Sequence, residues 1–168
     1  MPHQQFTIGR VFDAPCDLVF RCFSDVEHMN HWWGPKGIEI VNARMDFRVG
    51  GIYHYGMKWP AGNIMWGRFA FREIVPPSRI VFLNSFSDEA GNVTRAPFFD
   101  GKWPLEMLTV FSFADLEGGK TEFTLTWTPH NATAEEEAVF MANHASAASG
   151  WAGSLEKLEA HLASLRKP

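Results

Sequence analysis

A run of strand-like segments followed by one long helical segment is the feature that most limits how this 168-residue chain can fold. The last strand-like segment, KTEFTLTWT (120–128), alternates between two faces and puts Phe123, Leu125 and Trp127 on the same one. This period of two indicates an antiparallel sheet with one covered face. The segment from about 133 to 165 has helical periodicity and a leucine stripe, so one long helix is available to cover that face.

The start of the chain predicts a strand and two short helices. FTIGRVF (6–12) has strand-like alternation. DAPCDLVFRCF (13–23) has apolar residues at helical spacing after a proline, which suits the first turn of a helix. Ser24 and Glu27 have the spacing of a capping box for a second helix, which a Gly-Pro pair then ends.

Six further strand-like segments form a meander before the final helix, whose first turn has another capping box at Thr133 and Glu136. Only one arrangement buries all the apolar faces. A strongly curved antiparallel sheet wraps around the long C-terminal helix, and the two short helices close one end. We therefore predict an α+β fold and a single domain over 1–168, with its core from about 6 to 165.

The charge and the cysteine content limit the partners and the location. A net charge of −4 provides no basic surface for nucleic acid. No segment has the length of a membrane span, and the N-terminus has no apolar signal region, so we expect no membrane insertion and a cytoplasmic location. Cys16 and Cys22 lack a motif partner and are expected to be free thiols.

Two adjacent tryptophans, Trp32 and Trp33, end the second short helix and cannot share one face of it. At 100° per residue, Trp33 falls on the apolar stripe of Val26 and Met29, whereas Trp32 lies roughly 100° away at the flank of that stripe. We therefore expect Trp33 in the core and Trp32 at the rim, where it is a candidate for a gate over a pocket.

A stretch of small residues, ASAASGWAGS (145–154), lies in the middle of the final helix. Either the helix presses close to the strands there, or it stands off and leaves a void. Large aromatic side chains on the facing strands could interdigitate with the small ones. A curved sheet that grips one helix cannot close fully at its wide end, so we favour an elongated apolar pocket.

Several blocks of the sequence carry a family resemblance over about residues 6–165. They include VGGIYHYGM, WPLEMLTVFSF and GWAGSLEKLEAHL, and the most specific elements are Trp32-Trp33-Gly34-Pro35 and Gly150-Trp151. These blocks resemble the family of activator-of-heat-shock-protein-90-ATPase homologues, in the START-like (SRPBCC) superfamily. The resemblance implies a helix-grip fold with a deep hydrophobic cavity and no cofactor. It implies little about activity, because single-domain bacterial-type members resemble one another in fold rather than in a known reaction.

The sequence has none of the common catalytic or metal-binding motifs, such as a nucleophile elbow, a P-loop or a zinc-binding HExxH helix. His28 and His31 are three residues apart on the second short helix, and two imidazoles at that spacing can share a metal. An exposed helix face is the simpler interpretation, and no third ligand has a suitable spacing. We therefore predict no metal site.

His144 is predicted on the side of the final helix that carries Leu155, facing the sheet. A histidine there must be hydrogen-bonded or solvated by a cavity. Two interpretations stay open. It is a satisfied core histidine, or it is a polar group that meets a ligand or acts as a general base, with Glu106, Asn84 or Thr109 as its partner.

These features favour a protein that binds a small lipophilic or aromatic molecule between the last helix and the sheet. The first alternative is a cyclase- or hydratase-type enzyme that uses His144 as its acid–base group in the same cavity. The second is a co-chaperone-like activator of a chaperone ATPase, with a docking face for that partner. The predicted ligand-binding residues are Trp32, Tyr55, Phe69, Phe82, Phe111, Trp127, Phe140, Met141, His144 and Trp151.

Overall fold

A computed structural model describes residues 5–165 and contains eight strands and four helices within that range. The strands are β1 (Phe6–Phe12), β2 (Glu39–Met45), β3 (Ile52–Lys58), β4 (Ile64–Val75), β5 (Arg79–Ser87), β6 (Val93–Thr94), β7 (Glu106–Leu116) and β8 (Lys120–His130). The helices are α1 (Cys16–Ser24), α2 (Val26–Trp32), α3 (Ala134–Ala142) and α4 (His144–Leu165), with a 3-10 turn at Phe99–Gly101. The predicted domain extends over 1–168, of which 1–4 and 166–168 lie outside the described residues.

All the described strands belong to one antiparallel sheet in the order β1-β8-β7-β5-β4-β3-β2, and the short β6 pairs with β5. The first strand pairs with the last, with Phe6 opposite Trp127 and Phe12 opposite Thr121. Because β1 and β2 form the two edges, the sheet is curved but not closed. Its concave face carries the apolar positions that the period of two predicts, such as Phe123 and Leu125, both fully buried.

The helices cover the concave face and one end of the sheet. The leucine stripe of α4 is buried at Leu155, Leu158 and Leu162. Phe23 of α1 packs on Phe111 and Phe123 of the sheet, with ring centroids 4.9 and 5.0 Å apart. These contacts confirm the predicted α+β arrangement of a curved sheet around a long C-terminal helix with two short helices at one end. No helix within 5–165 is both long enough and apolar enough to cross a membrane.

The final helical segment differs from the prediction because it is two helices rather than one. Asn143, between α3 and α4, has φ −116° and ψ 19°, outside the helical region. Its side-chain amide donates to the carbonyl of Val139 at 2.7 Å, so a side chain takes the place of a backbone donor at that carbonyl. The predicted capping box at the start of α3 is confirmed, since Thr133 and Glu136 exchange both hydrogen bonds.

The predicted cap of α2 is wrong by one residue. Ser24 is the last residue of α1, and Asp25 caps α2 by accepting a hydrogen bond from the backbone N–H of Glu27 at 2.9 Å. A carboxylate at this position also suits the positive end of the helix dipole. The spacing of a capping box is present in the sequence. Ser24 cannot cap α2, however, because it is still part of α1 and a single residue, Asp25, separates the two helices.

Candidate functional site

A cavity of about 410 Å³ lies between α4 and the concave face of the sheet. Its walls come from α4, from β3, β4, β5, β7 and β8, from the segment after α2 and from the segment between β6 and β7. This volume lies within the range of about 300–1,000 Å³ that is typical of small-molecule sites. The cavity is therefore large enough for a compact organic molecule.

The helix wall of the cavity consists of small residues. Ser146, Ala147, Gly150 and Ser154 all line it. At 100° per residue these four positions fall within about 100° of one another and form one stripe along α4. A Cβ atom added at Gly150 would have no heavy atom within 4 Å. The small residues of α4 thus leave open space between the helix and the sheet.

A glycine on the sheet gives a tyrosine its place in the opposite wall. Gly67 of β4 pairs with Tyr55 of β3, and both line the cavity. A Cβ atom added at Gly67 would lie 2.6 Å from the Tyr55 hydroxyl oxygen, so the phenol lies directly over this glycine. The Tyr55 ring also stacks on Tyr53 at 4.7 Å. The absence of a side chain at residue 67 therefore determines where the phenol lies.

Three indoles meet at the inner part of the cavity. The ring of Trp151 lies 5.3 Å from Trp33 and 6.0 Å from Trp127, and both contacts are edge to face. Trp33 also packs edge-on against Tyr55 at 6.0 Å. Edge-to-face contacts of this kind hold aromatic rings in defined orientations. The inner wall is thus a rigid aromatic surface.

The segment that carries Trp33 is tied to α4 by polar contacts. Ser154 donates to the carbonyl of Gly34 at 2.8 Å. The ammonium group of Lys157 lies 3.2–3.4 Å from the carbonyls of Trp33, Gly34 and Pro35. Burial lowers the pKa of Lys157. A positive charge beside the carbonyl end of α2 also matches the helix dipole.

The mouth of the cavity has two half-exposed phenylalanines, Phe98 and Phe99, which are 41% and 40% exposed. Phe99 and Asp100 have φ of 57° and 51°, a left-handed conformation that costs about 1–3 kcal/mol in a non-glycine residue. Contacts to α3 hold this segment at both ends. Arg95 pairs with Glu136 at 2.6 Å, and Lys102 pairs with Glu135 at 2.8 Å.

Asn84 provides a polar group in the otherwise apolar wall. Its carbonyl oxygen accepts hydrogen bonds from the indole N–H of Trp127 at 3.0 Å and from the hydroxyl of Thr109 at 2.9 Å. An indole nitrogen can only donate, so this bond sets the orientation of the amide. Both hydrogen bonds that the described residues make to the Asn84 side chain are accepted by its oxygen. Its NH2 group therefore remains available to donate to a ligand.

Two further N–H donors in the lining have no hydrogen-bond partner of normal geometry within 5–165. They are the buried indole nitrogens of Trp33 and Trp59. Burial raises the pKa of Tyr55, and a weaker contact from the Trp33 indole opposes that rise. Tyr55 therefore stays protonated over the whole physiological range.

Tyr55 is the one ionisable side chain among the described residues that line the cavity. Every other lining residue is aromatic, aliphatic, a thioether, a glycine or proline, or a neutral amide or hydroxyl. The arrangement can hold an apolar molecule and donate hydrogen bonds to it. It has no carboxylate, imidazole, amine or thiol with which to move a proton at neutral pH.

The predicted site residues divide into two groups. Tyr55, Trp127 and Trp151 line the cavity. The other predicted aromatic residues are buried in the core rather than at the cavity surface; they are Trp32, Phe69, Phe82, Phe111 and Phe140.

The prediction for Trp32 is wrong, whereas Trp33 is buried in the core as predicted and also lines the cavity. Trp32 is fully buried, its indole nitrogen donates to the carbonyl of Cys22 at 2.9 Å, and its ring packs on Phe23 at 4.7 Å. It is therefore not at the rim and cannot act as a gate. The helix ends at Trp32, and Trp33 is already extended, with φ −64° and ψ 145°, so helical phase does not apply to Trp33.

His144 and Met141 also lie outside the cavity lining. The ring of His144 packs against Phe140 at 4.7 Å and Phe6 at 5.6 Å, and its Nε2 atom is buried with no hydrogen-bond partner among the described residues. It shares the direction of Leu155 as predicted, but the cavity stripe lies about 90° away around the helix. Met141 on α3 is 45% exposed.

Sequence reasoning missed Trp33 and the segment of Phe98 and Phe99 as cavity residues, and it named Asn84 only as a possible partner of His144. For Asn84 a signal was available, since a lone amide in the apolar run RIVFLNSF is unusual for a covered strand face. The segment between β6 and β7 has no periodicity from which its position could be predicted.

Comparison with known proteins assigns the family. The model of the family described as Activator of Hsp90 ATPase homolog 1-like protein matches residues 13–163. The chain belongs to this family. A search of proteins with curated functions gave no match.

Solved structures of bacterial proteins share the fold of this family member. A solution structure of a protein from Arthrobacter aurescens has a TM-score of 0.79 at 27% identity, covering 96% of this chain and 87% of that one. A crystal structure of a Mycobacterium smegmatis protein has a TM-score of 0.77 at 21% identity, covering 97% and 93%. The AHSA1 protein from Silicibacter pomeroyi has a TM-score of 0.70 at 20% identity, covering 96% and 99%.

Proposed function

We propose that this protein binds a small lipophilic or aromatic molecule that carries a hydrogen-bond acceptor, and that it does so in the cavity between α4 and the sheet. The cavity itself is the observation that carries the proposal, because it combines a volume of about 410 Å³ with an almost wholly apolar lining. Burial of apolar ligand surface there supplies the main binding free energy, about 25 cal/mol per Å².

The aromatic wall favours a flat or ring-containing ligand. Trp151 already contacts Trp33 and Trp127 edge to face, so these orientations are set before a ligand arrives. A preorganised wall lowers the entropic cost of binding. Flexible thioethers from Met57, Met65 and Met107 complete the lining and can adapt to the outline of a ligand.

The polar groups of the lining favour an acceptor on the ligand. The amide NH2 of Asn84 is a donor in the lining without a hydrogen-bond partner among the described residues, whereas the indole nitrogens of Trp33 and Trp59 are buried away from the cavity surface. A ligand carbonyl, carboxylate or ether oxygen would satisfy the Asn84 donor, whereas a donor group on the ligand would find no match at that NH2 group. A buried unsatisfied donor costs about 1–3 kcal/mol, so this preference affects affinity.

Phe98 and Phe99 are better candidates for the gate than Trp32. Both lie at the cavity mouth and are partly exposed, on a segment with strained backbone at Phe99. Ion pairs to α3 hold this segment at Arg95 and Lys102, and no ion pair among residues 5–165 holds its tip at 98–101. The two free thiols of Cys16 and Cys22 suit a reducing cytoplasmic location for this function.

The lining favours binding over acid–base catalysis. The alternative of a cyclase or hydratase required His144 in the cavity, and His144 instead packs against Phe6 and Phe140. Tyr55 has its pKa raised by burial and is a poor general base at neutral pH.

Native mass spectrometry of gently purified protein, with organic extraction of what co-purifies, identifies the chemical class of the ligand. A matched probe pair tests the proposed chemistry directly: naphthalene, which has no acceptor, and acetylnaphthalene, which adds one carbonyl. We expect acetylnaphthalene to bind saturably at one site per chain and more tightly than naphthalene. Equal affinity for the two probes would contradict the role of the Asn84 donor, and absence of saturable binding by both would contradict the binding function.

The substitution Asn84→Asp separates recognition from folding. An aspartate keeps an oxygen for the Trp127 indole and the Thr109 hydroxyl but replaces the cavity-facing donor with an acceptor. At pH 8 we expect acetylnaphthalene to lose roughly 2- to 10-fold in affinity, the value of one hydrogen bond, while naphthalene is unaffected. A parallel loss for both probes would show that the variant damages the cavity rather than the donor.

A further inference from the structure

A cluster of sulfur and nitrogen donors lies where α1, α2 and α4 meet, away from the cavity. It consists of the Cys22 thiol from α1 and the imidazoles of His28 from α2 and His161 from α4. One donor atom from each of the three residues lies within 4.8 Å of the other two. None of the three lines the cavity.

The two histidines face each other directly. The Nδ1 atom of His28 lies 2.9 Å from the Nε2 atom of His161, so one ring donates to the other. The ring of His31 stacks on His161 at 4.8 Å, which brings a third imidazole to the same place. A neutral imidazole has a nitrogen lone pair that can bind a metal.

A tetrahedral zinc site sets the separations that the three donor atoms must reach. Two nitrogens bound to one zinc ion at about 2.05 Å lie ~3.3 Å apart, and a sulfur ligand lies slightly farther from each. The nitrogen pair therefore has to open by a few tenths of an ångström from its 2.9 Å separation, and a nitrogen as far as 4.8 Å from the Cys22 sulfur has to move about 1 Å closer to it. Both imidazoles are half-buried, so their rings have room to rotate, while the sulfur of fully buried Cys22 is held in place.

We propose that Cys22, His28 and His161 form a binding site for a divalent transition metal of the zinc type. One thiolate and two imidazoles are the donor set that zinc prefers over magnesium or calcium, and three protein ligands leave a fourth position for water. The thiol loses its proton to solvent when the Cys22 sulfur bonds to the metal. Because the three ligands come from three helices, the ion joins both short helices to α4. The sequence analysis did not predict this site, because it weighed only His28 and His31 as a pair of metal ligands.

The test uses two titrations of the metal-free full chain. Zinc chloride binding is measured by calorimetry, and cobalt chloride binding is monitored by absorption spectroscopy. We expect one zinc ion per chain, a melting temperature that rises with zinc concentration, and a cobalt complex with the intense near-ultraviolet band of a thiolate ligand. A cobalt complex without that band, or zinc binding that never saturates at one ion per chain, would overturn the proposal.

Matched variants show whether these residues are the ligands. Loss of a residue that only supports a metal ligand costs roughly 10- to 100-fold in metal affinity. His161→Gln and Cys22→Ala each remove a ligand, so each should weaken zinc binding by more than that. Cys16→Ala, at the other buried cysteine of α1, should leave it unchanged. Zinc affinity that survives in His161→Gln, whose half-buried position tolerates glutamine, would refute the assignment even if Cys22→Ala fails to fold.

Discussion

Replacement of Gly150 by leucine should stabilise the ligand-free protein and at the same time block the cavity. Gly150 lies near the centre of the cavity stripe of α4, and an added Cβ atom there meets no heavy atom within 4 Å. A leucine side chain at this position extends into the space that the proposed ligand occupies. The variant should therefore raise the free energy of unfolding of the ligand-free protein and lower its affinity for the ligand.

The expected magnitude follows from comparison of leucine with alanine at the same position. Gly150→Ala alone should gain up to about 1 kcal/mol, because alanine is the better helix former. Leucine and alanine have similar helix propensities, so the difference between Gly150→Leu and Gly150→Ala reports the filling of the cavity. The three extra carbons contribute at most about 2.4 kcal/mol at ~0.8 kcal/mol per buried methylene. For a chain of this size that is up to roughly 5–10 °C in melting temperature.

The assay combines thermal melts of the wild type and both variants with titration of acetylnaphthalene. We expect Gly150→Ala to bind the probe about as well as the wild type and Gly150→Leu to bind it at least about 10-fold more weakly, since 1.4 kcal/mol of lost contacts suffices for that. Unchanged probe affinity in Gly150→Leu would show that the probe binds elsewhere. A leucine variant less stable than the alanine variant by more than about 1 kcal/mol would show that the helix has no room there.

Two further substitutions test how the walls are built. Gly67→Ala should destabilise the fold by about 1–3 kcal/mol in urea denaturation, because its Cβ would lie 2.6 Å from the Tyr55 hydroxyl and the ring must move. Unchanged stability together with unchanged probe affinity would contradict that contact. Lys157→Gln should flatten the alkaline pH dependence of stability. Burial lowers the pKa of Lys157 in the folded state, so the unfolded chain holds more protons below its usual pKa of about 10.5 and stability rises as pH rises through that window. Parallel stability curves for wild type and variant between pH 8 and 10.5 would refute this account.

Much of the fold could be predicted because its signals depend on near neighbours in the chain. The alternation that puts Phe123 and Leu125 on one face of β8 is a property of nine consecutive residues, and both are fully buried. The capping box of Thr133 and Glu136 needs only a three-residue spacing, and it forms. The order of these elements then left few ways to cover the sheet.

Helix ends mark the point at which local reasoning stopped being sufficient. Helix α2 ends at Trp32, so helical phase could not show that Trp32 is fully buried or that Trp33, also buried, continues into the cavity wall. The direction of His144 was predicted from helical phase, yet the cavity runs along another side of α4. Helical phase shows which residues of one helix share a side, but it does not show which part of the sheet or which cavity that side faces.

The sequence by itself determined the strands, the helices, their covered faces and the family. The tertiary structure alone decided which side chains meet. Asn84 reaches the Trp127 indole from a strand 43 residues away, and His28 meets His161 across 133 residues. Contacts of this kind depend on sheet curvature and on the distance between helix and sheet, which many distant side chains set together through close packing.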